Sequence, residues 1–477
     1  MKRNAFKAIA LTLALLLLSA SLSACAPLMM RFTKEEERPM KLYEAVMKGM
    51  DDVKSATMLT TIKLQAVISE AKITATVKQT EQALDKKGEL LHRSEVKGTT
   101  KIDDETTTTV SLSGYQDGKM YFASGEIEDT YTNQLSAPIS EQEYRDHQLY
   151  LAEHIGLDLD FTAEECKTMT CEQLKEDKKW IGTYTDFEGS YLRRVIDSLD
   201  GMEALFCEEY KIVDLSMSVI ADKALIPIRI ELEFEFAAIS DEADESLPSL
   251  SIVIEVSDVN ETEIEKEDLK DFDEVDDLRV LDLVDVWVDN HAAKEEGSFS
   301  STSDIETTIF NQTHKQQQKI DLSFKEGQNG FSYTIKQEQD GGEYVLSYQD
   351  GKQTTKYLSS GKELSSTSEI IQEATAKYQL TTLLTPTELV TSEVSDVKVE
   401  EKNGQTVYTL QMEDPVTLKK QLQDLFGNDS TDLSLSAVYT LYVKDGALVK
   451  YTCEMDATFK YEGINSSYDI SITATYS

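Results

Sequence analysis

Cysteine, histidine, proline and tryptophan are all scarce in this chain of 477 residues, which has 5 Cys, 5 His, 7 Pro and 2 Trp. No C-x-x-C pair, H-E-x-x-H, G-x-S-x-G, Walker A or G-x-G-x-x-G motif occurs in it. These absences argue against a disulfide-rich scaffold, the common metal sites and the common nucleotide-binding loops. We therefore expect no catalytic residues, no metal and no cofactor, and the chain is predicted not to be an enzyme.

Positive charge is also scarce, because 47 Lys and Arg face 88 Asp and Glu, a formal net charge of −41. Such a surface repels phosphate backbones, which predicts no nucleic-acid partner. Hydrophobic residues make up 40% of the chain, enough for a folded core. The length favours two or three domains.

The N-terminus has the pattern of a secretory signal peptide. Three cations, Lys2, Arg3 and Lys7, precede an uncharged, mostly apolar stretch from Ala8 to Leu22. That stretch is too short to span a bilayer as a helix. The sequence Leu22-Ser-Ala-Cys25 resembles a bacterial lipobox.

The lipobox resemblance implies a lipid-modified Cys25 as the mature N-terminus. The protein would then be exported and anchored to the outer face of the bacterial cytoplasmic membrane. The alternative is an ordinary signal peptide with an incidental cysteine. We predict a signal peptide over 1–24 and a flexible tether over 25–39.

Four segments recur in the same order in the two halves of the chain, which predicts an internal duplication. Their offsets fall only from 233 to 217 residues, as the sequence numbers show: 115–119 with 348–352, 190–199 with 416–425, 214–218 with 432–436, and 249–256 with 466–473. The predicted domains are 40–290, which includes an acidic C-terminal extension, and 304–477. Residues 291–303, which are small and polar, are predicted to form the linker.

Hydrophobic periodicity predicts helices and one-sided strands in each copy. The helices fall at 42–53, 140–155, 192–199 and 418–425. Ser140 and Glu143 have the spacing of a capping box. Strict alternation over 228–236 and 451–459 predicts strands with one apolar face, as in antiparallel sheets covered on one side.

This order of elements resembles the Gram-positive lipoproteins related to the LolA/LolB and mycobacterial LppX/LprG type. The resemblance covers residues 40–260 and 302–477 and rests on patterning rather than on a diagnostic motif. It implies an α+β fold with two tandem domains, each a strongly curved, unclosed antiparallel half-barrel with helices on the concave face. It also implies a cup that carries lipid, although this chain has two cups and an unusually acidic surface.

Two functions follow from what covers the apolar sheet faces. A partly empty cup would bind an apolar or amphipathic ligand, such as lipid, whereas cups filled by helices would leave a protein-interaction or envelope-stress module with an unknown protein partner. The candidate ligand-binding residues are Tyr144, Leu151, Ile155, Phe234, Phe236, Ile371, Tyr378, Met455 and Phe459.

Two further groups of side chains are candidate sites. Cys166 and Cys171 are close enough in sequence for a disulfide in an exported protein. Glu143, His147 and His154 share one side of a predicted helix, where a zinc site is conceivable. The step from His147 to His154 spans about two turns, which is too far for one ion, so a solvated helix face is predicted instead.

Overall fold

The computed structural model describes most of the chain from residue 34 onwards. The described residues are 34, 37–51, 53–68, 71–86, 89–103, 105–125, 130–155, 169–174, 179–184, 210–223, 225–238, 247–327, 330–339, 341–371, 373–387, 389–426 and 430–477. The predicted signal peptide, Cys25, Cys166 and the helix predicted at 192–199 lie outside them, as does most of the predicted tether.

The first half contains two α-helices and eleven strands among its described residues. They are α1 (Arg38–Asp51), β1 (Ser55–Ile68), β2 (Ala71–Lys86), β3 (Glu89–Ile102), β4 (Glu105–Gln116), β5 (Lys119–Gly125), β6 (Asn133–Pro138), α2 (Glu141–Ile155), β7 (Thr170–Gln173), β8 (Trp180–Tyr184), β9 (Tyr210–Ala221), β10 (Pro227–Ala238) and β11 (Ser249–Ser257).

The rest of the chain adds three α-helices and twelve strands. They are β12 (Asp273–Glu274), α3 (Val280–Ala292), β13 (Glu296–Ile309), β14 (Gln312–Gly327), β15 (Gly330–Gln339), β16 (Gly342–Gln349), β17 (Lys352–Ser359), β18 (Lys362–Ile370), α4 (Glu373–Leu384), β19 (Asp396–Lys402), β20 (Gln405–Glu413), α5 (Val416–Phe426), β21 (Ser430–Lys444), β22 (Ala447–Tyr461) and β23 (Ile464–Tyr476). Short 3₁₀ turns cover Leu269–Asp271 and Thr391–Glu393.

The strands form two large, unclosed sheets of twelve and eleven strands. In the first sheet the order runs β5-β4-β3-β2-β1-β11-β10-β9-β8-β7, with antiparallel neighbours, and β6 pairs in parallel with β12. In the second sheet it runs β18-β17-β16-β15-β14-β13-β23-β22-β21-β20-β19. The described chain is thus mostly β with few helices. The strong curvature of each sheet into a half-barrel stays a prediction.

The two sheets have the same strand order, as the predicted duplication requires. Strands β1–β5 correspond to β13–β17, and β7–β11 correspond to β19–β23. The recurring YQDGK segment forms the same turn in both copies, with positive φ at Asp117 and Gly118 and again at Asp350 and Gly351. We call the two copies repeat one and repeat two.

Each copy buries the apolar face of its sheet under helices. In repeat one, α1 packs against β7, β8 and β10 and buries Leu42 and Val46 in the same core as Phe234. In repeat two, α3 packs against β22 and α4, and α5 packs against β21. The predicted capping box is present, because Ser140 N–H donates to Glu143 Oε2 (3.0 Å) and Glu143 N–H donates to Ser140 Oγ (3.2 Å).

The domain boundary differs from the predicted one. The chain divides into two compact units after Phe272, except that Leu135–Ala137 belongs with the second unit. Helix α3, assigned from sequence to the first domain, precedes β13 as α1 precedes β1 and begins repeat two. The predicted linker at 291–303 is wrong, because α3 runs to Ala292 and β13 starts at Glu296.

Composition explains the wrong linker. The segment from Gly297 to Ser303 is small and polar, which is typical of loops. In the structure β13 pairs with β14 on one side and β23 on the other, and it buries Phe299 and Ser301. A strand paired on both sides satisfies its backbone groups whatever its side chains are, so polar composition did not prevent strand formation.

Candidate functional site

The buried face of the first sheet carries polar side chains at its β2–β3 end. Ala83 lies opposite His92 in the register of β2 and β3, and Glu81 stands two residues before Ala83 on the same face. Glu81 is only 4% exposed. A buried carboxylate costs free energy unless it is hydrogen-bonded, so this position calls for a partner.

His92 is that partner and links Glu81 to helix α2. The His92 Nε2 atom lies 3.1 Å from Glu81 Oε1, and His92 Nδ1 lies 2.5 Å from the Tyr144 hydroxyl. An ionised carboxylate only accepts hydrogen bonds, so Nε2 donates to Glu81. In the neutral ring, Nδ1 then accepts from the Tyr144 hydroxyl, and the network runs Tyr144–His92–Glu81.

Tyr144 is held in place by its own helix and by β4. It is the fourth residue of α2, directly after the capping box, and its ring stacks on Tyr115 at a centroid distance of 4.7 Å. Tyr115 lies opposite His92 in the β3–β4 register. Burial, followed by the charge of Glu141, raises the pKa of Tyr115. Tyr115 therefore stays neutral, and its ring packs against that of Tyr144 and holds it in place.

A second contact fastens α2 to β2 beside this network. Arg145 donates to both carboxylate oxygens of Asp85, at 2.8 and 3.0 Å, and to Glu141 Oε1 at 2.7 Å. The hydrogen bond to Asp85 is the main reason that the pKa of Arg145 is raised. The two carboxylates leave the Arg145 guanidinium neutralised rather than free to bind an anion.

A cavity of about 50 Å³ lies between these groups. Its lining includes Ser55, Ala56, Ala83 and Leu90, together with the charged residues Lys54, Glu81, Asp85 and Arg145 and the rings of His92 and Tyr144. Ser55 is 2% exposed, and its Oγ has no hydrogen-bond partner among the described residues. An orphan hydroxyl at a cavity wall is a group that a ligand or water would satisfy.

Repeat two carries uncharged side chains at the corresponding positions, and its buried polar contacts there join Gln353 to Tyr333 and Gln379. Tyr348 corresponds to Tyr115 through the YQDGK segment, and the registers then match Tyr333 with His92 and Phe324 with Ala83. Two residues earlier, Leu322 corresponds to Glu81.

Helices α2 and α4 are matched by a backbone hydrogen bond that occurs before each of them. Ile139 N–H donates to Gly118 O, as Ile371 N–H donates to Gly351 O. Counting on from these residues, Ala376 corresponds to Tyr144. The buried carboxylate and its histidine therefore occur in repeat one, whereas Leu322 and Phe324 are buried core residues in repeat two.

The predicted ligand-binding residues are mostly core residues. Tyr144 lines the cavity and Leu151 is buried further along α2. Phe234 and Phe236 belong to the core beneath α1, whereas Met455 and Phe459 are buried on β22. Ile371 is half-buried before α4. Ile155 and Tyr378 lie in α2 and α4, and their side chains are outside the described part.

Two other candidate residues, His147 and Cys171, are buried. His147 is only 6% exposed, so the predicted solvated helix face is wrong at this position; the side chain of His154 is not described. In the described ranges, no group of three or more His, Cys, Asp or Glu residues is arranged to hold a metal ion. Cys171 is a free, buried cysteine among the described residues, and burial raises its pKa to about 11. Cys166, its candidate disulfide partner, lies outside them.

Sequence reasoning missed Glu81 and His92. The available signal was the comparison of the two copies: Glu81 is charged where the other copy has Leu322, on a face whose other buried polar residues, such as Gln79 and Ser94, are uncharged. Using that signal needs the strand register, because the sequences around Glu81 and Leu322 show no obvious match.

Comparisons with known proteins give only distant structural similarities. No known protein family and no curated protein matches the sequence. The fold is similar to a DUF1329 family protein from Desulfovibrio piger, with 12% identity over 41% of this chain and 89% of that one, and a TM-score of 0.17. It is also similar to a putative outer membrane lipoprotein-sorting protein domain from Vibrio parahaemolyticus, with 12% identity over 40% and 89% of the two chains and a TM-score of 0.15.

A third similarity extends over more of the chain. Pseudomonas aeruginosa OccK3 aligns over 89% of this chain and 96% of its own, with 6% identity and a TM-score of 0.12. Similarities at these scores assign no family. Among the described helices, none is long and apolar enough to cross a membrane.

Proposed function

We propose that this chain is a lipid-anchored lipoprotein that binds a small apolar or amphipathic ligand in repeat one. Binding takes place at the cavity beside Glu81, His92 and Tyr144, without catalysis. Repeat two serves as a scaffold with a filled core. The proposed location is the outer face of the bacterial cytoplasmic membrane, with the lipid attached to Cys25. The two tandem domains are proposed to be of the LolA/LppX-like type.

The difference between the copies is the observation that carries this proposal. Core positions in duplicated domains should stay apolar, because a buried carboxylate offers less stability than a packed hydrophobic side chain. Repeat two follows that rule with Leu322 and Phe324. Repeat one departs from it with Glu81 and has the smaller Ala83 in place of Phe324, and a cavity lies there. Departures from core packing are expected at functional sites.

The size of the cavity sets a condition on binding. A volume of about 50 Å³ is about a third of the roughly 150 Å³ of an engineered cavity that binds benzene. A longer ligand therefore requires α2 to move away from β2 and β3. The contacts to be broken are those of Arg145 with Asp85 and of Tyr144 with His92.

A second function is favoured by the packing of repeat two. Helices α3, α4 and α5 bury Trp287, Leu380 and Leu418 against its sheet, and these filled positions fit a protein-interaction module. Such a module would use its outer surfaces and would need no small ligand.

Native mass spectrometry of the chain purified without residues 1–25 separates the two functions. The test compares the parent chain with A83F, which introduces the residue of repeat two into the cavity, and with T61A, a change on β1 away from the cavity. A co-purified small molecule that is released on denaturation, retained by T61A and lost in A83F would support ligand binding. A ligand-free protein that also fails to take up decanol would reject it in favour of the interaction module.

The anchor is tested on the full-length chain in a bacterial host. The parent chain should partition with membranes, and its N-terminal peptide should carry the mass of a diacylglyceryl group on Cys25. C25A should lose both properties. A parent chain released without lipid would overturn the anchor while leaving the binding proposal intact.

A further inference from the structure

We infer that the ligand of the repeat-one cavity carries an amine: an alkyl chain ending in a protonated ammonium group, rather than a fatty acid or a phosphate-bearing lipid. This inference rests on the proposed function, because it names the chemistry of the ligand bound at that cavity. It is carried by the buried Glu81 carboxylate, the prior engagement of Arg145 and the orphan Ser55 hydroxyl.

The charge buried at the cavity wall is negative. Glu81 is 4% exposed, and its oxygen Oε1 accepts from His92 Nε2. If the His92 ring is neutral, the Glu81–His92–Tyr144 network carries one negative charge. If the ring is protonated, the network carries none. Neither state provides the net positive charge that a carboxylate or phosphate headgroup needs at a site removed from water.

The cations around the cavity do not change this conclusion. Arg145 is held by Asp85 and Glu141, so a ligand anion would have to displace one of two carboxylates. Lys54 is exposed, and the pairing of an exposed charge contributes little because water and salt screen it. A ligand ammonium instead meets Glu81 directly and has three N–H donors to distribute.

The other groups of the wall fit the rest of such a ligand. The Ser55 oxygen is buried and unpartnered within the described structure, so it is available to accept one of those N–H groups. The ring of Tyr144 lines the same cavity as Glu81, and the faces of tyrosine rings attract ammonium groups. Ala56, Ala83 and Leu90 provide the apolar wall for the first carbons of the chain.

Isothermal titration of the chain without residues 1–25 tests the inference with three probes of equal length: decylamine, decanol and decanoate, each below its micelle concentration. Decylamine should bind at least about tenfold tighter than decanoate, since its ammonium group gains a charge-assisted hydrogen bond to Glu81 that decanoate lacks. E81Q keeps the size of the side chain and should remove most of this preference. K63Q, at an exposed position of β1 outside the cavity, should leave it unchanged, and K54Q tests the exposed cation at the cavity wall.

Each outcome decides something. Decanoate binding as tightly as decylamine, or a preference for decanoate that K54Q removes, would overturn the amine and leave the proposed cavity in place. Absence of binding by all three probes would reject the proposed function itself. Should E81Q fail to fold by circular dichroism, the ranking of the three probes on the parent chain still decides the inference. Loss of decylamine binding in A83F places the amine at this cavity.

Discussion

Replacing Phe234 with alanine should destabilise the first unit strongly, because the structure places this residue in a packed core rather than in a ligand site. Phe234 is 5% exposed. It lies opposite Leu250 on β11 and Leu215 on β9, so it is flanked on both sides within the sheet. Both neighbours are themselves buried.

The expected magnitude follows from how little this site can collapse. A Phe-to-Ala change in a core costs about 3–5 kcal/mol, of which part is the transfer of the ring to water and part is the cavity left behind. Leu250 and Leu215 belong to strands paired on either side of β10, and backbone pairing keeps them from closing the gap. We therefore expect about 4 kcal/mol, in the upper half of the range. A phenylalanine lining an open ligand cup would leave no new cavity and would cost clearly less.

Urea unfolding measures this loss of stability, and tryptophan fluorescence can report on each unit separately. Trp180 lies in the first unit and Trp287 in the second, so fluorescence in a W287F background reports on the first unit alone. The matched control is E233A, the preceding residue on the exposed face of β10, which should change stability by less than about 0.5 kcal/mol. A loss below about 1.5 kcal/mol for F234A, with an unchanged m-value, would refute the packed core and restore Phe234 as a ligand-binding residue.

Four further outcomes are expected. G114A should destabilise the first unit by about 3 kcal/mol in urea unfolding, because a Cβ there would lie 2.0 Å from His92 O. G404A has open space around the added Cβ and should cost only about 1 kcal/mol, through its positive φ. Burial lowers the pKa of His291 to about 4 from 6.5, so the unfolded state takes up the proton first as the pH falls. The second unit should therefore have its full stability above pH 6.5 and lose stability towards pH 4. In unfolding monitored by Trp287 fluorescence, H291Q should reduce this loss. Cys171 should resist iodoacetamide at pH 8 until urea unfolds the protein; mass spectrometry showing rapid native labelling would contradict its burial. R145A should lower the melting temperature slightly and increase hydrogen exchange in α2, while K97A, a change outside the α2 contact, should leave that exchange unchanged.

Periodicity was enough to predict several elements of this fold. The alternation over 228–236 gave β10, the apolar spacing from Leu42 gave α1, and Ser140 with Glu143 gave the start of α2. These patterns are local, because they depend on which face of a strand or helix is buried. The repeated segments also gave the correct correspondence of β4 with β16, of β9 with β21 and of β11 with β23.

The boundary and the site needed non-local information. Helix α3 has an apolar pattern that fits either domain, and only its packing on β22 and α4 assigns it to repeat two. The partnership of Glu81 with His92 depends on the register of β2 and β3, and their link to Tyr144 depends on where α2 docks. No spacing along the chain encodes those distances, so the residues predicted from sequence were apolar and aromatic ones on the strand faces and on the flanking helices instead.

The strand order has a consequence for how the protein folds. In each copy the first strand pairs with the last, as Thr57 does with Ser257 and Phe299 with Tyr476. Before the last strand of each copy has paired, β1 and β13 each have one edge with unpaired backbone groups, at a position that lies in the middle of the folded sheet. Because both copies present the same open edge, β23 competes with β11 for β1, and strand exchange between copies is the characteristic misfolding route of such tandem repeats. Although β11 and β23 contain one of the recurring segments, many of their side chains differ, as at Ile252 and Asp469. These differences favour the correct strand, because only its side chains match those of its partner.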